Sequence, residues 1–110
     1  MTEFLVVITT TETRDEALAI AREVVRTRVA ACAQVRGPLT SVFRWKGAVE
    51  EAEEHLCFMK TTLKSYERLE SVIRSLHPYE VPEILALPVK TGGRDYLDWV
   101  RAETGPSTGT

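Results

Sequence analysis

Two cysteines, Cys32 and Cys57, are all that this 110-residue chain contains. Their separation fits no disulfide framework, so they read as free thiols of a reducing compartment, and the cytoplasm is expected. No apolar run approaches the ~20 residues needed to cross a bilayer. The opening Met1-Thr2-Glu3-Phe4 has no basic region ahead of an apolar one, so neither a membrane span nor a signal peptide is expected. Charge of one sign is also lacking. The formal net charge is −2, with lysine and arginine scattered along the chain, which leaves no basic footprint for nucleic acid. There is no nucleophile–base pair, no glycine-rich phosphate loop and no zinc-finger spacing. A hydrolase or transferase has nothing to stand on, and neither enzymatic activity nor an organic cofactor is expected.

What is present is ordinary for a globular protein: 44% hydrophobic and 27% charged residues, enough to exclude disorder except at the ends. The length gives one domain that buries roughly two thirds of the surface its unfolded chain exposes. That domain is expected over residues 1–103, with a flexible tail over 104–110.

Phe4-Leu5-Val6-Val7-Ile8 is a short apolar run rich in β-branched residues, a strand buried on both faces in mid-sheet, with Thr9–Thr11 as its exit. Thr13 and Glu16 fit a capping box. The helix they open carries Leu18, Ala21 and Val25 at helical spacing, flanked by Ala17 and Val24, and is expected to end near Val29. A second strand enters at Ala30–Val35, is interrupted by Gly37-Pro38 as a bulge or bend, and continues through Leu39, Ser41, Phe43 and Trp45. Lys46-Gly47-Ala48 turns a hairpin whose return strand runs from Val49 to about Thr61. Tyr66, Leu69, Val72, Ile73 and Leu76 form the apolar stripe of a second helix, which Pro78 ends. Ile84–Leu87 reads as a last strand, placed at a sheet edge by Pro88. Tyr96, Leu97 and Val100 give a short third helix. The order β-α-β-β-α-β plus a helix predicts an α+β, ferredoxin-like antiparallel sheet with both long helices on one face. The return strand, at ~3.3 Å per residue, outruns a first helix of ~25 Å. Another copy of the chain is therefore expected to cover the hairpin or pair with it, with Trp45 as an interface anchor.

The segment around which these elements turn is His77-Pro78-Tyr79-Glu80-Val81-Pro82-Glu83. Each proline pushes the residue before it toward extended geometry, so His77 and Val81 cannot continue a helix. The result is a stiff connector carrying an imidazole, a phenol and carboxylates. His77 offers a nitrogen to copper or zinc, or caps the helix end that precedes it. Cys32 offers a soft thiolate or simply packs among small residues. His55 and Cys57, two apart, share one face of a strand. Glu50, Glu51, Glu53 and Glu54 either collect hard cations or solvate the hairpin and discourage edge pairing. Lys60, Tyr79 and Glu83 are candidates for a subunit-boundary cleft, as a buried ion pair or as a small-ligand site.

Ala30-Ala31-Cys32, Trp45-Lys46-Gly47, Lys60-Thr61-Thr62, the connector itself and Tyr96-Leu97 followed by Trp99, taken in this order, resemble the CutA divalent-cation tolerance family from about residue 4 to 100. The resemblance implies a compact homotrimer of ferredoxin-like subunits, similar in build to the PII signalling proteins. It also implies binding of divalent cations, copper above all, a role in metal tolerance, and no established reaction. Some bacterial members carry a cysteine at the end of the first strand and a second histidine before the connector, both associated with copper. Thr9 and Leu76 stand at those positions here, so of that trio only His77 carries over. Two functions follow as expectations: a trimeric metal-binding protein of copper tolerance, or a PII-like sensory or adaptor module whose boundary clefts take a small molecule or partner segment. A purely structural scaffold would bind neither.

Overall fold

The computed structural model describes residues 2–106. Its elements run β1 (Phe4–Thr11), α1 (Arg14–Arg26), β2 (Cys32–Trp45), β3 (Ala48–Thr62), α2 (Tyr66–Leu76), β4 (Leu85–Pro88) and α3 (Arg94–Glu103), with a short 3-10 turn at Leu63–Ser65 ahead of α2. The strands form one antiparallel sheet in the order β2-β3-β1-β4. This is the ferredoxin-like arrangement read from the sequence, with β1 inside the sheet and β4 on its edge.

The capping box forms as expected. Glu16 N–H donates to Thr13 Oγ1 and Thr13 N–H donates to the Glu16 carboxylate, each at 3.1 Å. Two orphan donors at the start of α1 are thereby satisfied, and such caps contribute about 1 kcal/mol. The buried stripe of α1 differs from the expected one. Ala17, Ile20, Ala21 and Val24 face the sheet, while Val25 is 41% exposed. Both rows have helical spacing. The row with two alanines lets the helix lie close to the sheet while Ile20 fills the space between. The helix also stops at Arg26, before the expected Val29. Arg28 takes a left-handed φ of 62°, and the N–H groups of Val29 and Ala30 both donate to the Val24 carbonyl, reversing the chain toward β2.

Leu5 and Val7 of β1, with Cys57 and Met59 of β3, pack against Ile20, Ala21 and Val24 of α1 and Leu69 and Ile73 of α2. Thr9 and Thr11 do not lead out of the sheet as expected. They extend β1 and are fully buried on the helix-covered face. The opposite face is covered at one end only, where Val100 and Leu97 of α3 meet Phe4 and Ala31. Beyond that end Val6, Ile8, Leu56 and Phe58 are half-buried, and Leu85 and Leu87 are exposed. A single copy thus buries one face of β1 fully and the other in part.

The hairpin has the expected excess length. β1 pairs with β3 only over His55–Thr62, so Ala48–Glu54 and Leu39–Trp45 pair with each other alone. They form a two-stranded ribbon projecting roughly 20 Å beyond the sheet. Its turn is a two-residue one, with Lys46 at φ 50° and Gly47 at φ 85°, the mirror-image geometry that suits the twist of a hairpin. The break at Gly37-Pro38 appears as a register shift between Arg36 and Leu39, where ribbon and sheet join. After α3, Gly105 N–H donates to the Arg28 carbonyl, and the Arg28 guanidinium donates to the carbonyls of Ala102 and Gly105. Of the tail expected over 104–110, Ser107–Thr110 lie outside the described residues.

Candidate functional site

The connector lies beside the ribbon, meeting it at Glu54 near the sheet and at Lys46 in the hairpin turn. His77 closes α2, donating its N–H to the Ile73 carbonyl while its own backbone is extended, as the following proline requires. Its Nε2 stands 2.7 Å from the Thr10 carbonyl, and its Nδ1 accepts the Tyr79 N–H at 3.2 Å. The two rings pack with centroids 4.8 Å apart. The Tyr79 hydroxyl in turn donates to Glu54 Oε2 at 2.6 Å. Glu80 reaches the Lys46 ammonium at 4.0 Å, an exposed pair that contributes little.

Composition and alternation do not distinguish Glu54 within the run Glu50, Glu51, Glu53, Glu54. It is 8% exposed, whereas Glu50, Glu51 and Glu53 are open to solvent. The usable signal was position, since Glu54 is the last acidic residue before the apolar stretch that enters the sheet. Its hydrogen bond from Tyr79 offsets part of the cost of burying a carboxylate. Burial, and then the bond to Glu54, pushes the Tyr79 phenol well above its ordinary range. Burial, and then the charge of Glu54, raises the Glu83 carboxyl above the usual carboxylate range. Tyr79 is thus bonded directly to Glu54, while Glu83 feels its charge.

Lys60 stands elsewhere. It lies six residues further along β3, roughly 20 Å from Glu54, opposite Cys32, and its ammonium donates to Gln34 Oε1. Cys32 is half-buried on the sheet face not covered by α1 and α2, and burial followed by the Cys32 thiol raises the neighbouring Tyr96 hydroxyl. Trp45, at the ribbon tip, is 39% exposed, with the Lys46 ammonium 5.5 Å from its ring centroid. His77 and Cys32 do not meet. Thr10 pairs with Leu56 and Cys32 with Lys60, positions about 13 Å apart along β3. Thr9 and Leu76 supply no nitrogen or sulfur. His55 presses against Gly37, and its Nδ1 is buried without a hydrogen-bond partner, as is the Thr9 hydroxyl. Among the described residues no three histidine, cysteine or acidic side chains come together in a way that could hold a metal ion. The described residues of one copy therefore do not provide a closed metal site.

Cys57 is fully buried, and burial, helped by the charge of Cys32, pushes its thiol up to about 12. The thiolate is the reactive form. Titration of the native protein with a thiol reagent at pH 8 is accordingly expected to leave Cys57 unmodified, with both cysteines reacting after denaturation. Rapid native labelling of Cys57 would contradict the packing described above.

The arrangement of ribbon, sheet and connector recurs in known proteins. A model of the CutA1 divalent ion tolerance protein family matches residues 5–103. The chain belongs to that family. The divalent-cation tolerance protein CutA of Thermus thermophilus is 45% identical over 100 residues, covering 91% of this chain and 97% of that one. A solved structure of the Thermus protein superposes with a TM-score of 0.91 at 44% identity, covering 93% and 99% of the two chains. Human protein CutA is 47% identical over 85 residues. Those residues are 77% of this chain and 48% of the human one, so the chain matches about half the length of that relative. A CutA of Archaeoglobus fulgidus, 28% identical with a TM-score of 0.87, is described as a periplasmic divalent cation tolerance protein. Family membership supports a role in metal tolerance. The family is named for ion tolerance and for no reaction. No helix among the described residues is long and apolar enough to cross a membrane.

Proposed function

We propose that this protein is a cytoplasmic homotrimer that binds divalent cations, copper among them, and contributes to metal tolerance without catalysing a reaction. The observation that carries the assembly is the ribbon. Phe43 and Trp45 remain exposed on a strand pair that among the described residues pairs with no third strand, next to a sheet face that is only partly dressed. A lone two-stranded ribbon is marginal in water, and a patch of this kind marks an interface. Since the described residues of one chain gather no complete ligand set, the cation donors come together between copies, with Cys32, beside Tyr96 of α3, among them. Sedimentation equilibrium at micromolar concentration is expected to give three times the 12.4 kDa chain mass. Phe43→Glu combined with Trp45→Glu is expected to shift that mass toward the monomer. A wild-type monomer overturns the assembly, and the absence of a Cu(II) binding isotherm by calorimetry overturns the metal reading.

A second reading is favoured by Glu54 and Glu83, which meet no lysine or arginine within ion-pair distance among the described residues. On that reading the corner belongs to a PII-like sensory or adaptor module and takes a small cationic molecule or a basic partner segment. A thermal-shift panel of metabolites separates the two readings, because only this one predicts a response in metal-free buffer.

A further inference from the structure

We infer that the His77 imidazole is the post that holds the connector against sheet and ribbon, and not a metal ligand. β4 pairs with β1 only over Leu5–Ile8. At Thr10 the first strand has outrun its neighbour, and the His77 ring takes the place of the missing strand at 2.7 Å from the Thr10 carbonyl. A carbonyl only accepts, so Nε2 carries the ring proton. An amide N–H only donates, so the Tyr79 N–H at 3.2 Å occupies the lone pair of Nδ1.

An imidazole binds a metal through a free lone pair, and this ring has none to spare. Ligation through Nδ1 would strip the Tyr79 amide of its acceptor. Ligation through Nε2 would displace the proton from the Thr10 carbonyl. Both groups belong to a part-buried corner, where an unpaired backbone group is unfavourable. The remaining contacts show what the post supports. From Thr10 the line runs through the His77 ring to the Tyr79 backbone, and from the Tyr79 hydroxyl to Glu54 at the root of the ribbon. The connector thus ties β1 to the ribbon, and His77 fixes the direction in which the ribbon leaves the sheet.

The test compares His77→Ala, His77→Gln and His77→Asn by two measurements, the thermal midpoint in metal-free buffer and the calorimetric isotherm for Cu(II) and for Zn(II). The alanine variant is expected to lower the midpoint by roughly 5–10 °C. Glutamine retains a donor near the Nε2 position and asparagine an acceptor near Nδ1, so each is expected to recover part of that loss. Metal affinities of all three should stay within about twofold of wild type, since neither amide replaces an imidazole as a ligand and none is needed. An unchanged midpoint in His77→Ala, or a tenfold loss of affinity in any variant that folds, overturns the inference. If wild type takes up neither metal, the metal-binding reading above fails by itself, and the midpoints alone decide whether His77 is the post.

Discussion

Ile20→Ala is expected to destabilise the protein by about 2–5 kcal/mol, the range for removing a large buried aliphatic side chain and leaving a cavity. Ile20 is fully buried between the sheet and α2. The site cannot collapse easily, because β1 and β3 are held in register from Phe4↔Thr62 to Thr11↔His55. The control is Val25→Ala on the same helix. Val25 is 41% exposed, and alanine is the better helix former, so this change should stay within about 0.5 kcal/mol. Urea unfolding at one fixed chain concentration measures both, which matters because the midpoint of a self-associating protein depends on concentration. The pair decides between the two apolar rows of α1. A large loss at Val25 with a small one at Ile20 would mean that the helix is rotated to present the row Leu18, Ala21, Val25.

Gly37→Ala is expected to be nearly as damaging, at least about 2 kcal/mol, for the opposite reason: it adds an atom where none fits. A Cβ at Gly37 would lie 2.6 Å from His55 Cδ2, 2.9 Å from His55 Cγ and 3.0 Å from the Glu54 carbonyl. The first two contacts belong to a ring whose Nδ1 is already buried, and the third to backbone of β3. Neither neighbour moves freely. Combining Gly37→Ala with His55→Ala should recover part of the loss, because the ring is gone while the carbonyl contact remains. A coupling of 0.5 kcal/mol or more in the double-mutant cycle is expected, as for residues in direct contact. Additive losses would show that the ring is not what Gly37 accommodates. The position also bears on assembly, since Gly37 sits at the register shift where ribbon and sheet join.

The fold was legible because its signals are local. The β-branched run at Phe4–Ile8, the capping box at Thr13 and Glu16, the row Tyr66, Leu69, Val72, Ile73 and the stop at Pro78 each lie within a few residues and reappear, while Leu76, the last of that row, is 43% exposed. The sequence is ambiguous where two local patterns are equally good. Leu18, Ala21, Val25 and Ala17, Ile20, Ala21, Val24 both repeat at helical spacing, and only the closeness of the sheet selects the second. The three threonines after Ile8 look like an exit, yet β3 is long enough to keep pairing through Thr11. Of the candidate site residues, Tyr79 bonds to Glu54 and Glu83 feels the charge of that carboxylate, whereas Lys60 lies at the far end of β3. Glu54, which joins Tyr79 to the ribbon, looked like one member of a solvated acidic run.

By itself the sequence determined the order of strands and helices, the over-long hairpin and the stiffness of the His77–Glu83 connector, because alternation, helical spacing, capping and proline geometry act between residues close in the chain. Only the tertiary structure decided where the polar groups of that connector go. Thr10 and Glu54 come from two strands and Lys46 from the hairpin turn, all far away in sequence, and a side chain's partner depends on which distant segments the packed core brings alongside it.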